Sequence, residues 1–455
     1  MANIFSQTTS PAFSKQSVKE FFVDPMFMGE DIRGALTVRT DVKGTERLNM
    51  ISRPSKITVP KTSAGFTAAG SFALTYKDIT VKPMAIEFEQ NGRAFLDSIV
   101  QQLLAQGYKE DDVEQMKAPD VWNKIMLPVL AQAGQQDLIR QMWFNNTLAE
   151  TFSSSAHTGV ADVNYNGYTG LLTHLYDALV AGTIPSAQHV VIGTSTSGTA
   201  AKQVKTLTYA RHTDDVTLTI TVNGVAYSQA YATGQNETIA AWLAAHKATV
   251  EARGGMNGVV VTAATNVLTF TARHKGGQFT ATGEVTEGGG TKGTVTAGGA
   301  VAAVNYGALS ANEADTTLTA MLNAAKPELL EFPKVFMITH SLWRNLVATF
   351  KARATELGDM VLQNGAKVPT YEGIPILIRP DWDIWIADAN ASVFPHRAVL
   401  TTPKNFIFAT DGTSDSEMIE TWYNQEAQMR RYRIQYKAQT AFLHPELVVL
   451  AGFGD

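Results

Sequence analysis

The chain has 455 residues, 45% hydrophobic and 17% charged, with a formal net charge of −5. This is a globular balance, long enough for more than one domain and too acidic on average for a dedicated nucleic-acid binder. Cysteine is absent, which excludes disulfides, thiolate nucleophiles and Cys-ligated zinc. No apolar run approaches the ~18 residues of a membrane span, and the opening MANIFSQTTS has neither a basic nor an apolar signal region, so no membrane and no secretory route is expected.

Residues 1–33 read as an extended arm: Phe21, Phe22, Met26, Phe27 and Met28 are apolar but follow neither helical nor strand period. Residues 34–90 read as a β-ribbon, with a turn at Asp41–Gly44 and one long strand signal from Leu74 to Gln90. Neither side of that strand is uniformly apolar. A two-stranded ribbon is marginal alone in water, so this one is expected to lie on something larger, most naturally a neighbouring subunit.

Residues 91–185 read as helical. Phe95, Leu96, Ile99, Val100, Leu103 and Leu104 form one stripe ending at Gly107, and Val121, Ile125, Val129, Leu138, Met142 and Trp143 form a second. Pro128 should kink or restart the second helix, because it removes a donor. GLLTHLYDALVAG, Gly170 to Gly182, is a third helix.

Composition shifts over 186–311, which is rich in Thr, Ala, Val and Gly and has no proline. Strands at 217–224 and 225–232 meet at Asn223-Gly224, a strong hairpin signal. A helix follows with Asn236 placed to cap it, and VVVTAATN and VLTFTARH complete a ββαββ unit. Its core candidates are Leu218, Ile220, Ile239, Trp242, Leu243, Val250, Val260, Leu268 and Phe270. The segment reads as an inserted, mostly-β domain whose borders are softened by a Gly-rich tail, GEVTEGGGTKGTVTAGGA.

Helix and strand alternate again over 312–455. TLTAMLNAAKPELL and SLWRNLVATFKAR read as helices around a buried strand, KVFMITH. IPILIR, DIWIADA, RAVLTT, NFIFAT, EMIETWY, MRRYRIQYKAQT and ELVVLAG read as strands. EMIETWY and MRRYRIQYKAQ should form a hairpin around Asn424–Gln428, with Arg431, Arg433 and Lys437 on one face and Tyr432, Ile434 and Tyr436 on the other. The basic face is expected to meet carboxylates such as Glu417 or Glu420, or another subunit, which makes these five charged residues the inter-subunit candidates. A solvated basic face accounts for the same pattern equally well.

Catalytic constellations are missing. GGGTKG at Gly288–Gly293 matches G-x-G-x-x-G by letters but follows no clear strand and opens no helix. GTSTSG at Gly193–Gly198 has the wrong glycine spacing for a nucleophile elbow. His157, His174, His189 and His212 share no ladder, and Asp381 and Asp383 beside Pro380 read as a turn into a strand. No catalytic, cofactor-binding or metal residue is assigned, no cofactor is expected, and the protein reads as a non-enzyme.

Several phrases resemble one family. YEGIPILIRPDWD (371–383), TTPKNFIFATDG (401–412), AFLHPELVVLAG (441–452) and GLLTHLYDALVAGTIP before the insertion are similar to stretches of tailed-bacteriophage major capsid proteins, close to those of crAss-like and related phages. The order of elements over 1–185 and 312–455 is what carries the resemblance. It implies an α+β Hong Kong 97-type capsid fold: N-terminal arm (1–33), extension-loop β-ribbon (34–90), spine helix and shell-domain helices (91–185), and mixed sheet and helix axial and peripheral domains (312–455). The inserted domain (186–311) lies outside it.

The resemblance implies a structural protein of the virion, assembled in the host bacterial cytoplasm. Its copies would form hexamers and pentamers of an icosahedral head around double-stranded DNA, touched non-specifically. Portal, scaffold and decoration proteins are the implied partners. A fused scaffold is not expected, since no long charged helical segment precedes the arm. An encapsulin-like compartment shell and a phage tail structural protein are the alternatives.

Overall fold

The computed structural model describes residues 36–51, 74–91, 127–153, 156–192, 202–253, 258–275, 279–301, 309–352, 369–390, 396–411, 419–424, 426–427 and 429–453. The arm, the ribbon between 52 and 73, the Phe95–Leu104 stripe, Val121 and Ile125, GTSTSG and Glu417 lie outside them. The chain divides into two compact units, one of residues 1–139 and 406–443, the other of 140–405 and 444–455.

The first unit holds β1 (Thr37–Arg39), β2 (Thr45–Ile51), β3 (Leu74–Thr80), β4 (Lys82–Asn91), β19 (Phe406–Thr410), β20 (Ile419–Asn424) and β21 (Met429–Phe442). β2 and β3 form a separate two-stranded ribbon, in register from Thr45↔Thr80 to Ile51↔Leu74. The remaining strands make one sheet, in which β21 pairs antiparallel with β19, β20 and β4 and β1 pairs parallel with β19. The single strand expected over 74–90 is thus two strands in two sheets. The break is at Val81, whose amide donates to the Gly44 carbonyl at 3.1 Å. Its side chain is buried in a small core with Val42, Leu48, Ile79, Ile407, Ala409 and Ala441.

The described part of helix α1 (Leu127–Phe144) includes Pro128. Its last turns bury Leu138, Met142, Trp143 and Phe144, whereas Val129 is exposed.

In the second unit, β5 (Glu150–Ser153) and β6 (Ala156–Ala161) form a hairpin. Helix α2 (Leu171–Val180) ends at Gly182, whose φ of +72° is the left-handed stop glycine accepts readily. A six-stranded sheet runs in the order β16 (Thr370–Tyr371), β17 (Ile374–Arg379), β15 (Val335–Thr339), β18 (Ala398–Thr401), β22 (Val448–Ala451) and β7 (His189–Val190). Strands β15, β18 and β22 are buried along their whole length, which is why they read as unbroken apolar runs. Against this sheet lie α4 (Glu313–Ala324), α5 (Pro327–Glu331), α6 (His340–Ala352) and α7 (Pro380–Asn390). Leu318, Met321, Leu329, Leu342 and Leu346 of the first three join Phe336, Ile338, Ile376 and Val449 in one core.

DIWIADA, expected as a strand, is part of α7. Pro380 and the acidic Asp381 and Asp383 form a favourable helical first turn. Trp382 and Ile386, four residues apart, are both buried, while Ile384 is exposed.

Residues 202–301 build two packed sheets: β10 (Val225–Ala230), β9 (Asp215–Val222), β13 (Ala281–Glu287), and β11 (Val259–Ala264), β12 (Val267–Lys275), β8 (Lys202–Ala210), β14 (Thr294–Val301). Helix α3 (Gln235–Ala252) packs on β10 and β11. Asn223 and Gly224, both at positive φ, make the expected turn. Trp242 is wholly buried and its Nε1 donates to the Tyr227 carbonyl at 3.0 Å. Seven of the nine core candidates are buried and Leu243 is partly so. Val260 is exposed because Val259 and Val261 face inward, a one-residue change of face.

Three further differences stand out. Asn236 lies inside the first turn of α3, and Gly234 is the cap residue, held by Thr238 Oγ1 donating to its carbonyl at 2.7 Å. The Gly-rich tail forms most of β13 and β14. Residues 186–192 lie with the six-stranded sheet, through β7 and the buried Ile192.

Candidate functional site

The ribbon is anchored at its base. Leu48 and Ile79 are buried in the first unit's small core, and Lys77 Nζ donates to the Phe442 carbonyl at 2.7 Å while sitting over the Phe442 ring. Burial lowers the pKa of Lys77. Arg47 and Asp78 face each other across the ribbon and form a two-pronged pair at 2.7 and 2.8 Å. That hydrogen bond raises the arginine and lowers the aspartate pKa. Farther out Leu74 is 67% and Tyr76 60% exposed, with the Arg47 guanidinium over the Tyr76 ring at 4.0 Å.

The hairpin read from the sequence is present, with Ile419↔Ile434 through Asn424↔Met429 in register. Tyr432, Ile434 and Tyr436 are buried, and Met84, Ile86 and Phe88 of β4 lie opposite them. Arg431 and Arg433 face the other way. Their carboxylate partners come from β4: Arg431 Nε donates to Glu89 at 3.1 Å and Arg433 Nε to Glu87 at 2.8 Å. Glu420 stands opposite Arg433 in the register, and Arg433 also lies over the Trp422 ring. Lys437 belongs to a different grouping: its amide donates to Asp411 Oδ1 at 2.6 Å, its Nζ lies 3.6 Å from Asp411 Oδ2, and Nζ donates to the Lys43 carbonyl. Both arginine pairs are partly exposed, so each contributes only ~0–1 kcal/mol. Glu87 and Glu89 went unread in the sequence because they lie more than three hundred residues from their partners.

One polar cluster has the residue types of an enzyme site. Ser341, at the start of α6, has its Oγ 2.8 Å from His396 Nδ1 and 3.1 Å from Thr339 Oγ1. The hydroxyl donates to Thr339, and its role toward His396 Nδ1 follows the imidazole tautomer. Asp383 accepts from the His340 and Ser341 amides at the start of α6, and Asp381 takes Arg379 at 2.9 Å. The two carboxylates therefore serve different partners, one fixing a helix start and one an arginine. Among the described residues no group of three or more His, Asp or Glu is placed to hold a metal ion.

No family model matches the chain, and no curated protein does. Among solved structures it is similar to the procapsid of satellite phage P4 that includes the size determination (Sid) protein, at 11% identity and a TM-score of 0.41 over 96% of this chain and 97% of that one. It is also similar to the capsid of the GTA particle. The empty form matches at 8% identity and TM-score 0.38 over 93% and 96% of the two chains, the native form at 10% and 0.38 over 100% and 95%. All three are capsids. The chain itself is a mixed α+β protein of two compact units.

Proposed function

We propose that the chain is a major capsid protein, the repeating subunit of a tailed-phage head, whose copies close into hexamers and pentamers around double-stranded DNA. The observation that carries this reading is the β2–β3 ribbon. Its base is buried in its own unit, while Leu74 and Tyr76, farther along its described part, are exposed. A two-stranded ribbon gains little stability alone, so its outer part needs another surface. A head-to-tail contact that repeats around a ring offers one from an identical neighbour. The family phrases in 1–185 and 312–455 support the same reading. In it, the two-sheet body of 202–301 is a separable inserted domain, the partly exposed arginine face of β21 is a further contact candidate, and portal, scaffold or decoration proteins are partners.

The test is electron microscopy of the purified full-length chain, alone and carrying Leu74→Lys with Tyr76→Ser. The parent should give closed shells. The variant should stay soluble with an unchanged circular-dichroism melt and give none. Tubes from the parent, or shells from the variant at parental yield, would overturn the reading.

A further inference from the structure

The sheets formed by 202–301 share no strand pairing with any strand outside them among the described residues. Side-chain contacts therefore help set their orientation on the rest of the unit. Glu150, the first residue of β5, meets Arg253, the residue that follows α3, through Arg253 Nη2. The Glu150 side chain is only 5% exposed. It reaches in beside a small cavity lined by Val222, Asn223, Tyr227, Val250 and Val259, between the β9–β10 turn and the end of α3.

The position suits a cation for a second reason. A helix C-terminus carries partial negative charge, which favours the guanidinium there even before the carboxylate arrives. The Glu150 carboxylate has the reverse standing: buried, it is costly without its arginine, and Oε2 has no hydrogen-bond partner among the described residues. A supporting contact lies nearby. Arg273 of β12 donates through Nη2 to the Glu251 carbonyl at the end of α3 and acts on Asp177 of α2, lowering a pKa that burial raises.

We propose that Glu150 is a latch: its ion pair with Arg253 holds the two-sheet body in a single orientation on the β5–β6 hairpin, and breaking the pair frees that body to take others. The core around Trp242, Leu218 and Phe270 does not include Glu150 or Arg253, so it survives the release. The pair thus controls where the body points and leaves its internal fold alone.

The absence of cysteine makes the test direct. Spin labels on Thr262→Cys and Asn323→Cys, both exposed positions, report one distance from the two-sheet body to α4. Labelled full-length chains are diluted into unlabelled ones so that the distance is intramolecular. The latch gives one narrow distance in the parent. Glu150→Gln and, separately, Arg253→Gln should each raise the population outside that peak roughly tenfold, with the double variant no broader than either. A parent that is already broad, or single variants as narrow as the parent, would overturn it.

Discussion

Helix α6 starts at His340 directly after β15, so its first amides have no carbonyl behind them. Asp383, from the first turn of α7, supplies the missing acceptor from outside: Oδ2 takes the His340 amide at 2.7 Å and the Ser341 amide at 3.3 Å. Removing a side-chain cap costs about 0.5–2 kcal/mol, and losing a carboxylate at a helix start adds about 0.3–1 kcal/mol. The second bond is long, so Asp383→Ala should cost about 1.5 kcal/mol in all. At about 2–4 °C per kcal/mol for a large unit, that lowers the melting temperature by about 3–6 °C. Asp383→Asn keeps an acceptor oxygen and loses only the charge, for about 0.5 kcal/mol. Differential scanning calorimetry of the three proteins checks the ranking. An alanine variant that melts with the parent, or an asparagine variant as damaged as the alanine one, refutes the capping argument.

Gly452 has φ +75° and a Cβ there would lie 2.0 Å from the His396 carbonyl oxygen, whereas Gly182 has φ +72° with open space around it. Gly182→Ala should cost only the left-handed strain of about 1–2 kcal/mol, and Gly452→Ala clearly more, read from urea midpoints. Burial lowers the His396 pKa, against the pull of Asp383 and Glu313, so the unfolded chain takes up a proton first as pH falls. Stability should therefore drop as pH falls through the unfolded value of about 6.5, and His396→Gln should flatten that drop in denaturation series run on either side of it. Reversing Arg431 and Arg433 to Glu sets like charges beside Glu89 and Glu87. A loss of about 1–2 kcal/mol is expected, recovered when Glu87 and Glu89 are reversed as well, measured by the same denaturation.

Local chemistry was legible where one dipeptide or one residue decides the outcome. Asn223-Gly224 forces positive φ at two successive positions, and Gly182 stops α2, so both are plain in the letters. Features decided by distant partners were not legible. Ile384 and Ile386 alternate as a strand would, but the buried pair is Trp382 and Ile386 at helical spacing. The break at Val81 depends on a core supplied by Ile407, Ala409 and Ala441, far along the chain. Val260 was placed inside because three valines in a row carry no information about which face is buried. The Gly-Thr tail has no apolar period, yet its strands are fixed by pairing with β9 and β8. Of the charged surface, the face of Arg431 and Arg433 followed from alternation, whereas the carboxylates beside it required the fold.

The strands that open and close the two-sheet body are hydrogen-bonded neighbours: Val204 of β8 lies opposite Val301 of β14. Antiparallel neighbours sit about 5 Å apart, so the rest of the chain meets this body across a gap scarcely wider than one peptide unit. Such a splice point is indifferent to what it carries. Any module whose two ends emerge side by side, whether another β-body or a fluorescent reporter, presents the same pair of attachment points. Exchanging one for another asks nothing of the six-stranded sheet beyond tolerating a different passenger, and a few flexible residues would span the gap if the passenger were removed altogether.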